Sequence, residues 1–543
     1  MPSTPDLVYN GEVLSTNQEK ANAFCKYYKD KYKESHHPNF DIHNREQINL
    51  WYDTYFNQQA DNNEDIAVID PNTYYKILHT QKNSSPGYDN IPWSIVKQLD
   101  VPVHEYIIKG LEFCLNQQIF LDEWKKGTII NLPKSKGDHT LPENYRPITL
   151  LPVLGKVYEK IIRTMLTNSV EAQIPNHQFG FREKHSTMHP LTILASNVET
   201  AKHQNLKSAA LFLDTEKAFD SVWHKGLLFK LFTLQVPRNI VSIIKNFLEH
   251  RKIIVKVNNA KSDEFTPKQG VPQGSPISPL LYNIYCYDIA ANINHEDLSQ
   301  YVLQFADDTA LIAHGKSTLE ATQKLQGILN SIEVWFQNWR LVPNPNKSQF
   351  MLFGHTINDR SPHVNLFNQQ IHPKPTAKYL GIEIDAKLNF NRHTKIIKDK
   401  TIKLAKHFRS LTFKNQGIKM NTATKIYKSI CRPVLEYGHV IYLNLKAKAM
   451  KNITVAETSS LRAITKMRHP QNSLYNPSNE LLYRRSCIQP IEQRLQELNS
   501  KFAHRTHNME IIEPLCRKRE NDQSKFRHPN QTMLEKLLGE ADN

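Results

Sequence analysis

FADDTALIA, residues 305–313, sets two adjacent carboxylates, Asp307 and Asp308, inside an otherwise apolar stretch. Like charges side by side repel, and a charge taken out of water without a partner is costly. The flanking runs YVLQFA and TALIA are short and apolar, and the simplest geometry joining them is a β-hairpin with the aspartates at its turn. Two readings of such a tip stand open. Asp is a common residue of solvated turns, and paired carboxylates are also oxygen ligands for a hard cation such as magnesium.

The cation reading needs acids from more than one strand. SAALFLD, Ser208–Asp214, is a continuous apolar run ending in an acid, which predicts a buried strand with a carboxylate at its C-terminal end. Divalent ions held by Asp214, Asp307 and Asp308 would offset the burial of all three. Two such ions about 3.5–4 Å apart stabilise both attacking and leaving oxygens in phosphoryl transfer.

Bulk properties narrow the class. The 543 residues suffice for two to four domains, and 39% hydrophobic with 22% charged residues suits a soluble globular protein. There is no apolar run long enough to span a membrane and no secretory pattern at the N-terminus. The six cysteines form no C-x-x-C pair, which argues against zinc fingers and a disulfide scaffold and fits a reducing intracellular compartment. The net charge of +16 points to a polyanion, and its distribution sharpens this. Residues 391–430 hold eleven Lys/Arg against one acid, Asp399, whereas 481–543 hold eleven bases against nine acids. A nucleic-acid contact is therefore expected at 391–430.

Along the chain, residues 1–75 read as a polar N-terminal extension with scattered helical pattern. Ser84–Pro92 is loop chemistry, Gly127–Leu132 and Lys252–Asn258 predict short strands, and Leu141–Ile162 runs from extended chain into a helix. Ser278 and Pro279 stand where an N-cap and a first-turn proline belong. KYLGIEID, Lys378–Asp385, predicts one more strand. Beyond 390 the pattern is helical, with Ile397, Leu404, Phe408 and Leu411 on one face and bases between them.

Several stretches together carry a resemblance. LFLDTEKAFDSV, QGVPQGSPISPLLYNI and FADDTALIA, in this order, resemble the consecutive palm motifs of reverse transcriptases, and more narrowly those of non-LTR retrotransposons of the jockey-like group. SSPGYDN, NYRPITLLPVLGKVYEKII and NHQFGFREKHST resemble that family's finger motifs, while NPNKSQFMLFG and KYLGIEID are similar to the segments after the palm hairpin. LRAITKMRHPQN and NPSNELLYRRSCIQPIEQRL resemble the region beyond the thumb, so the likeness covers roughly residues 80–500. It implies an α+β right-hand polymerase with an antiparallel palm sheet and a helical thumb. Its implied parts are fingers at 76–200, palm at 201–385, a basic thumb at 386–445 and a C-terminal helical region at 446–543.

The resemblance also implies roles. Asp214 and Asp307 would hold two magnesium ions, for which manganese can substitute, and Asp308 would assist or stabilise the turn. Backbone N–H groups near Thr215 and Glu216 would cradle triphosphate oxygens. Phe219 would exclude a ribose 2′-hydroxyl by bulk; otherwise it is a core phenylalanine. Gln273 and Gly274 would position nucleotide and template, with loop capping as the alternative for the glutamine. Arg182 would grip the triphosphate through its bidentate fork or else lie on the surface. Arg146 would organise template or fingers. Lys347 would protonate the leaving pyrophosphate or remain an ordinary exposed lysine. Tyr379, Leu380 and Gly381 would grip the primer, and Asp220 is expected to be structural.

The implied reaction is transfer of a deoxynucleotide from its triphosphate to a primer 3′-hydroxyl on an RNA template, with RNA, DNA primer and dNTPs as partners and no membrane. The roughly 80 residues before the first finger motif are too few for an endonuclease domain, so an endonuclease acting in trans, or self-priming, is expected. Nucleus and cytoplasm both remain open. Three alternatives stand beside this reading: RNA synthesis from RNA, against which Phe219 argues; an RNA-binding relic without activity; and a two-metal nuclease.

Overall fold

The computed structural model describes residues 4–58, 67–135, 137–293, 299–354, 362–412, 417–467 and 477–506. The expected regions at 391–430 and 446–543 thus fall partly outside the described residues, as does Cys516. The chain divides into two compact units interleaved in sequence. The first comprises Met1–Phe181, Thr215–Asn292 and Ser331–Asn344; the second comprises Arg182–Asp214, Ile293–Asn330 and Pro345–Asn543. Among the described residues no helix is long and apolar enough to cross a membrane.

The first unit holds a four-stranded sheet in the order Tyr145–Leu150, Lys126–Pro133, Lys252–Val257, Ala260–Lys261. Its outer pairings are antiparallel, and Lys126–Ile130 runs parallel to Lys252–Lys256. Both strands expected here, at 127–132 and 252–258, form with slightly different ends. Helix Asn17–Lys31 packs on this sheet. It starts at a capping box, in which Thr16 accepts from the Glu19 N–H and the Glu19 carboxylate accepts from the Thr16 N–H. Leu7, Phe24, Tyr28 and Tyr32 join Ile129, Tyr145 and Val255 in one buried cluster. The polar average of residues 1–75 thus conceals an apolar stripe, and this helix belongs to the unit's core rather than to an appendage.

The second unit is built on an antiparallel sheet in the order Gln349–Phe353, Lys207–Leu213, Asp308–Gly315, Gln300–Phe305. Strand Lys207–Leu213 is central, which explains its unbroken apolar run: Ser208 to Leu213 are all buried. The expected hairpin forms, closed by the pair Phe305↔Asp308, so its two-residue turn is Ala306–Asp307 and Asp308 opens the second strand. KYLGIEID, expected as one strand, is instead a hairpin of Thr376–Tyr379 and Ile382–Asp385. Leu380 (φ 45°) and Gly381 (φ 81°) turn the chain, the positive pair a tight two-residue turn requires.

Helices Asn391–Thr412, Met420–Ile430 and Ala447–Thr465 follow. Thr394, Ile397, Thr401, Ala405, Phe408 and Thr412 form the buried face of the first, while Lys395, Lys400, Lys403, Lys406 and Arg409 are exposed. Leu411, expected on the apolar face, is exposed because Thr412 turns inward and donates to the Ala463 carbonyl. Helices 391–412 and 447–465 pack against each other, so the expected thumb and the region after it share a core. At its centre the fully buried Glu457 accepts from Arg432, Tyr427, Tyr483 and the Ile491 N–H, partners a buried carboxylate must have.

Candidate active site

The carboxylates belong to the second unit. Register explains their meeting: Leu213 lies opposite Thr309, so Asp214 leaves its strand level with Asp308, and Asp307 is the adjoining turn residue. Ala306 takes φ 58°, left-handed backbone that a residue with a Cβ adopts only at a cost. That strain sits at the turn carrying the acids. The Asp308 carboxyl is pushed up to about 6, first by loss of hydration, although the residue keeps an exposed surface, and then by the charges of Asp307 and Asp214. Lys378 pulls in the opposite direction. The Lys347 ammonium lies 4.0 Å from the Asp214 carboxylate, both side chains being open to solvent. The Asp214 N–H donates to Ser348 Oγ at 3.2 Å, which fixes the backbone where the strand ends.

These donors are oxygens only, and their mutual repulsion is what a divalent cation relieves. Among the described residues no three His, Cys, Asp or Glu side chains form a ready-made metal cage. Magnesium seldom requires one, since it commonly takes one or two carboxylates and completes its shell with water and substrate phosphate. The donor set therefore fits a hard cation shared with a substrate.

The remaining candidates of the second unit are more dispersed in character. Arg182 is half-buried at the start of its segment. Tyr379 is buried against the Phe212 ring at 5.1 Å, under the central strand, and Leu380 is buried as well. Gly381 is exposed, so the glycine is the part of this turn open to solvent.

The first unit holds the loop candidates. Phe219 is half-buried, with its ring stacked on Tyr282 at 4.5 Å and edge-on to Phe181 at 5.9 Å. It is thus rigidly backed without being wholly enclosed. Gly274 has φ +122°, and a Cβ there would lie 2.6 Å from the Thr149 carbonyl oxygen, so only glycine fits. The neighbouring Gln273 carbonyl accepts from the Thr149 N–H at 2.7 Å, while the Gln273 amide donates to Asp220 at 3.0 Å. Below the loop Glu159, 1% exposed, accepts from the Ser275 hydroxyl. Burial pushes its carboxyl up to about 7. Arg146 is exposed on strand Tyr145–Leu150.

Two expectations are corrected here. The Glu216 N–H donates to the Val342 carbonyl at 2.8 Å, and its side chain is held by Asn344, so that N–H is not available to a phosphate. Ser278 is not the N-cap: the helix Ser278–Tyr285 is capped by Ile277 in helical backbone, and the Ser278 hydroxyl, buried, makes no hydrogen bond. Sequence reasoning missed Lys378 and Ser348. Both flank quoted motif residues, and a basic or hydroxyl side chain beside such a motif was the available signal.

Residues 132–384 match the family model described as "Reverse transcriptase (RNA-dependent DNA polymerase)". A probable RNA-directed DNA polymerase from transposon BS of Drosophila melanogaster is 29% identical over 91% of this chain and 54% of its own length. The corresponding X-element protein of the same fly is 30% identical over 84% of this chain and 50% of its own length. The RNA-directed DNA polymerase from its mobile element jockey is 32% identical over 70% and 42% respectively. The chain therefore spans about half the length of the curated relatives it matches.

Proposed function

We propose that the chain, whose residues 132–384 match the reverse transcriptase family model, is the RNA-directed DNA polymerase of a non-LTR retrotransposon. The observation that carries this reading is the strand register that brings Asp214, Asp307 and Asp308 to one end of an antiparallel sheet lying within the matched residues.

Asp214 and Asp307 would hold two magnesium ions, with Asp308 assisting. When bound, such ions neutralise phosphate charge and stabilise the attacking and leaving oxygens. The chain's own residues then do the positioning, which in phosphoryl transfer supplies most of the catalysis. Phe219, backed by Tyr282, blocks a ribose 2′-hydroxyl. Gln273 and Gly274 shape the nucleotide and template contact, Thr215 contributes its backbone, and Arg182 grips the triphosphate. Lys347 donates a proton to the departing pyrophosphate. Arg146 contacts the template side and the 379–381 turn contacts the primer. The exposed bases of helix Asn391–Thr412 track the duplex backbone without reading sequence. Partners on this reading are an RNA template, a DNA primer and dNTPs.

Extension of a DNA primer on RNA tests the reading, with wild type against Asp307→Ala and with both nucleotide types. Magnesium-dependent extension with deoxynucleotides, lost in the variant, is expected. Equal extension with ribonucleotides would instead indicate RNA synthesis, and RNA binding without extension under any divalent metal would indicate a relic.

A further inference from the structure

The end of helix Asn17–Lys31 and the residues after it lie outside the matched residues 132–384, yet they grip the loop that carries Gln273. Asp220 is the junction. It is 2% exposed, and three groups converge on its carboxylate. Lys31 Nζ lies 2.6 Å from Oδ2. The Tyr32 hydroxyl donates to Oδ1 at 2.9 Å, and the Gln273 amide donates to the same oxygen at 3.0 Å. The backbone repeats the clasp. The Lys268 N–H donates to the Tyr32 carbonyl at 2.9 Å, and the Gln269 side-chain oxygen accepts from the N–H and hydroxyl of Ser35 at 2.9 and 3.0 Å. Gly270 completes it, since a Cβ there would lie 2.6 Å from the Asp220 carbonyl oxygen. All these residues belong to the first unit.

An ionised carboxylate only accepts hydrogen bonds. Asp220 therefore fixes which end of the Gln273 amide faces it, namely the NH2, and leaves the amide oxygen as the other end. A glutamine side chain has several rotatable bonds, and this contact removes that freedom before any ligand arrives. Lys31 and Tyr32 in turn hold the Asp220 carboxylate in place.

We propose that Lys31 and Tyr32 are positioning residues for the nucleotide loop, acting through Asp220 on the side chain of Gln273. The inference rests on the proposed role of Gln273 in nucleotide binding, and it makes the N-terminal helix part of the polymerase unit.

The test uses the full chain with Tyr32→Phe, Lys31→Met and Lys31→Arg. Hydrogen exchange without nucleotide is read first, and faster exchange across residues 268–275 is expected in Tyr32→Phe and Lys31→Met. In primer extension the KM for the deoxynucleotide should rise about tenfold in both, with a smaller change in kcat, and Lys31→Arg should restore most of it. Combining Tyr32→Phe with Gln273→Ala should raise KM no further than Gln273→Ala alone. Unchanged exchange and KM in Tyr32→Phe, or full additivity with Gln273→Ala, would overturn the inference. Should Lys31→Met fail to fold, Tyr32→Phe decides. A wild-type chain that extends no primer would defeat the proposed function, while the exchange comparison would still decide the clasp.

Discussion

Gly274→Ala is the substitution whose consequence the geometry defines most closely. The residue sits at φ +122°, and a side chain held in that region costs about 1–3 kcal/mol. The added Cβ would also stand 2.6 Å from the Thr149 oxygen. That oxygen belongs to the edge strand Tyr145–Leu150, whose pairing with Lys126–Pro133 along its length resists its retreat. The loop must move instead, and the bond from the Thr149 N–H to the Gln273 carbonyl, 2.7 Å long, is stretched or lost, at roughly 1 kcal/mol. Together these amount to about 2–4 kcal/mol, to be read as a fall in melting temperature of roughly 2–4 °C per kcal/mol for a unit of this size. Displacement of the loop by several tenths of an ångström carries the Gln273 side chain with it, so the KM for the nucleotide should rise at least about tenfold, with RNA–primer binding unchanged. Thermal unfolding and steady-state extension on the same preparation measure both. An alanine variant with wild-type melting temperature and KM would refute the close-approach argument. A lowered melting temperature with wild-type KM would leave the backbone argument standing and remove its link to the nucleotide.

Phe219→Val, which shortens a ring braced on Tyr282, should lower discrimination against ribonucleotides by roughly 100-fold in kcat/KM, with deoxynucleotide use less affected; competitive incorporation measures it. Glu159 gives a pH prediction. Its carboxyl titrates near 7 in the folded chain against an ordinary 4.5, so the folded state holds the proton more tightly, and stability present below pH 4.5 is lost as pH rises through 7. The loss is about 3 kcal/mol at most, and denaturant unfolding of Glu159→Gln between pH 5 and 8 should lack that fall.

The parts of the fold legible in the sequence are those where one element is long or its chemistry restrictive. Strand Lys207–Leu213 announces itself because it is central and buried on both faces. The hairpin at 300–315 is legible because two apolar runs flank polar residues. The Thr376–Asp385 hairpin is not, since each arm has four residues and the turn is made by Leu380 and Gly381 without any Asn or Pro. The interleaving of the two units is equally hidden, because one change of unit falls between Asp214 and Thr215, inside a single motif. Residues 1–75 read as a polar extension on average composition, although Phe24, Tyr28 and Tyr32 keep the four-residue spacing of a buried helical face.

The site divides along the same physical line. Groups that meet substrate are restricted in type: a hard cation needs carboxylates and a sugar is excluded by bulk. On the proposed function, this is why Asp214, Asp307, Asp308 and Phe219 stand out as candidates in the motifs. Groups that hold those residues in place are restricted only in position. Any hydroxyl could accept from the Asp214 N–H as Ser348 does, and any donor of suitable length could meet Asp220 as Tyr32 does. Such residues look ordinary in a sequence, and spatial closeness is the property that singles them out. Asp220 shows the consequence. Its place in a motif suggested a structural part, and its burial with Lys31, Tyr32 and Gln273 converts that part into a link between a segment outside the matched domain and a residue inside it. On the proposed function, a nucleotide loop that must be rigid before its substrate arrives needs anchors that do not themselves touch the substrate, the part proposed above for Lys31 and Tyr32.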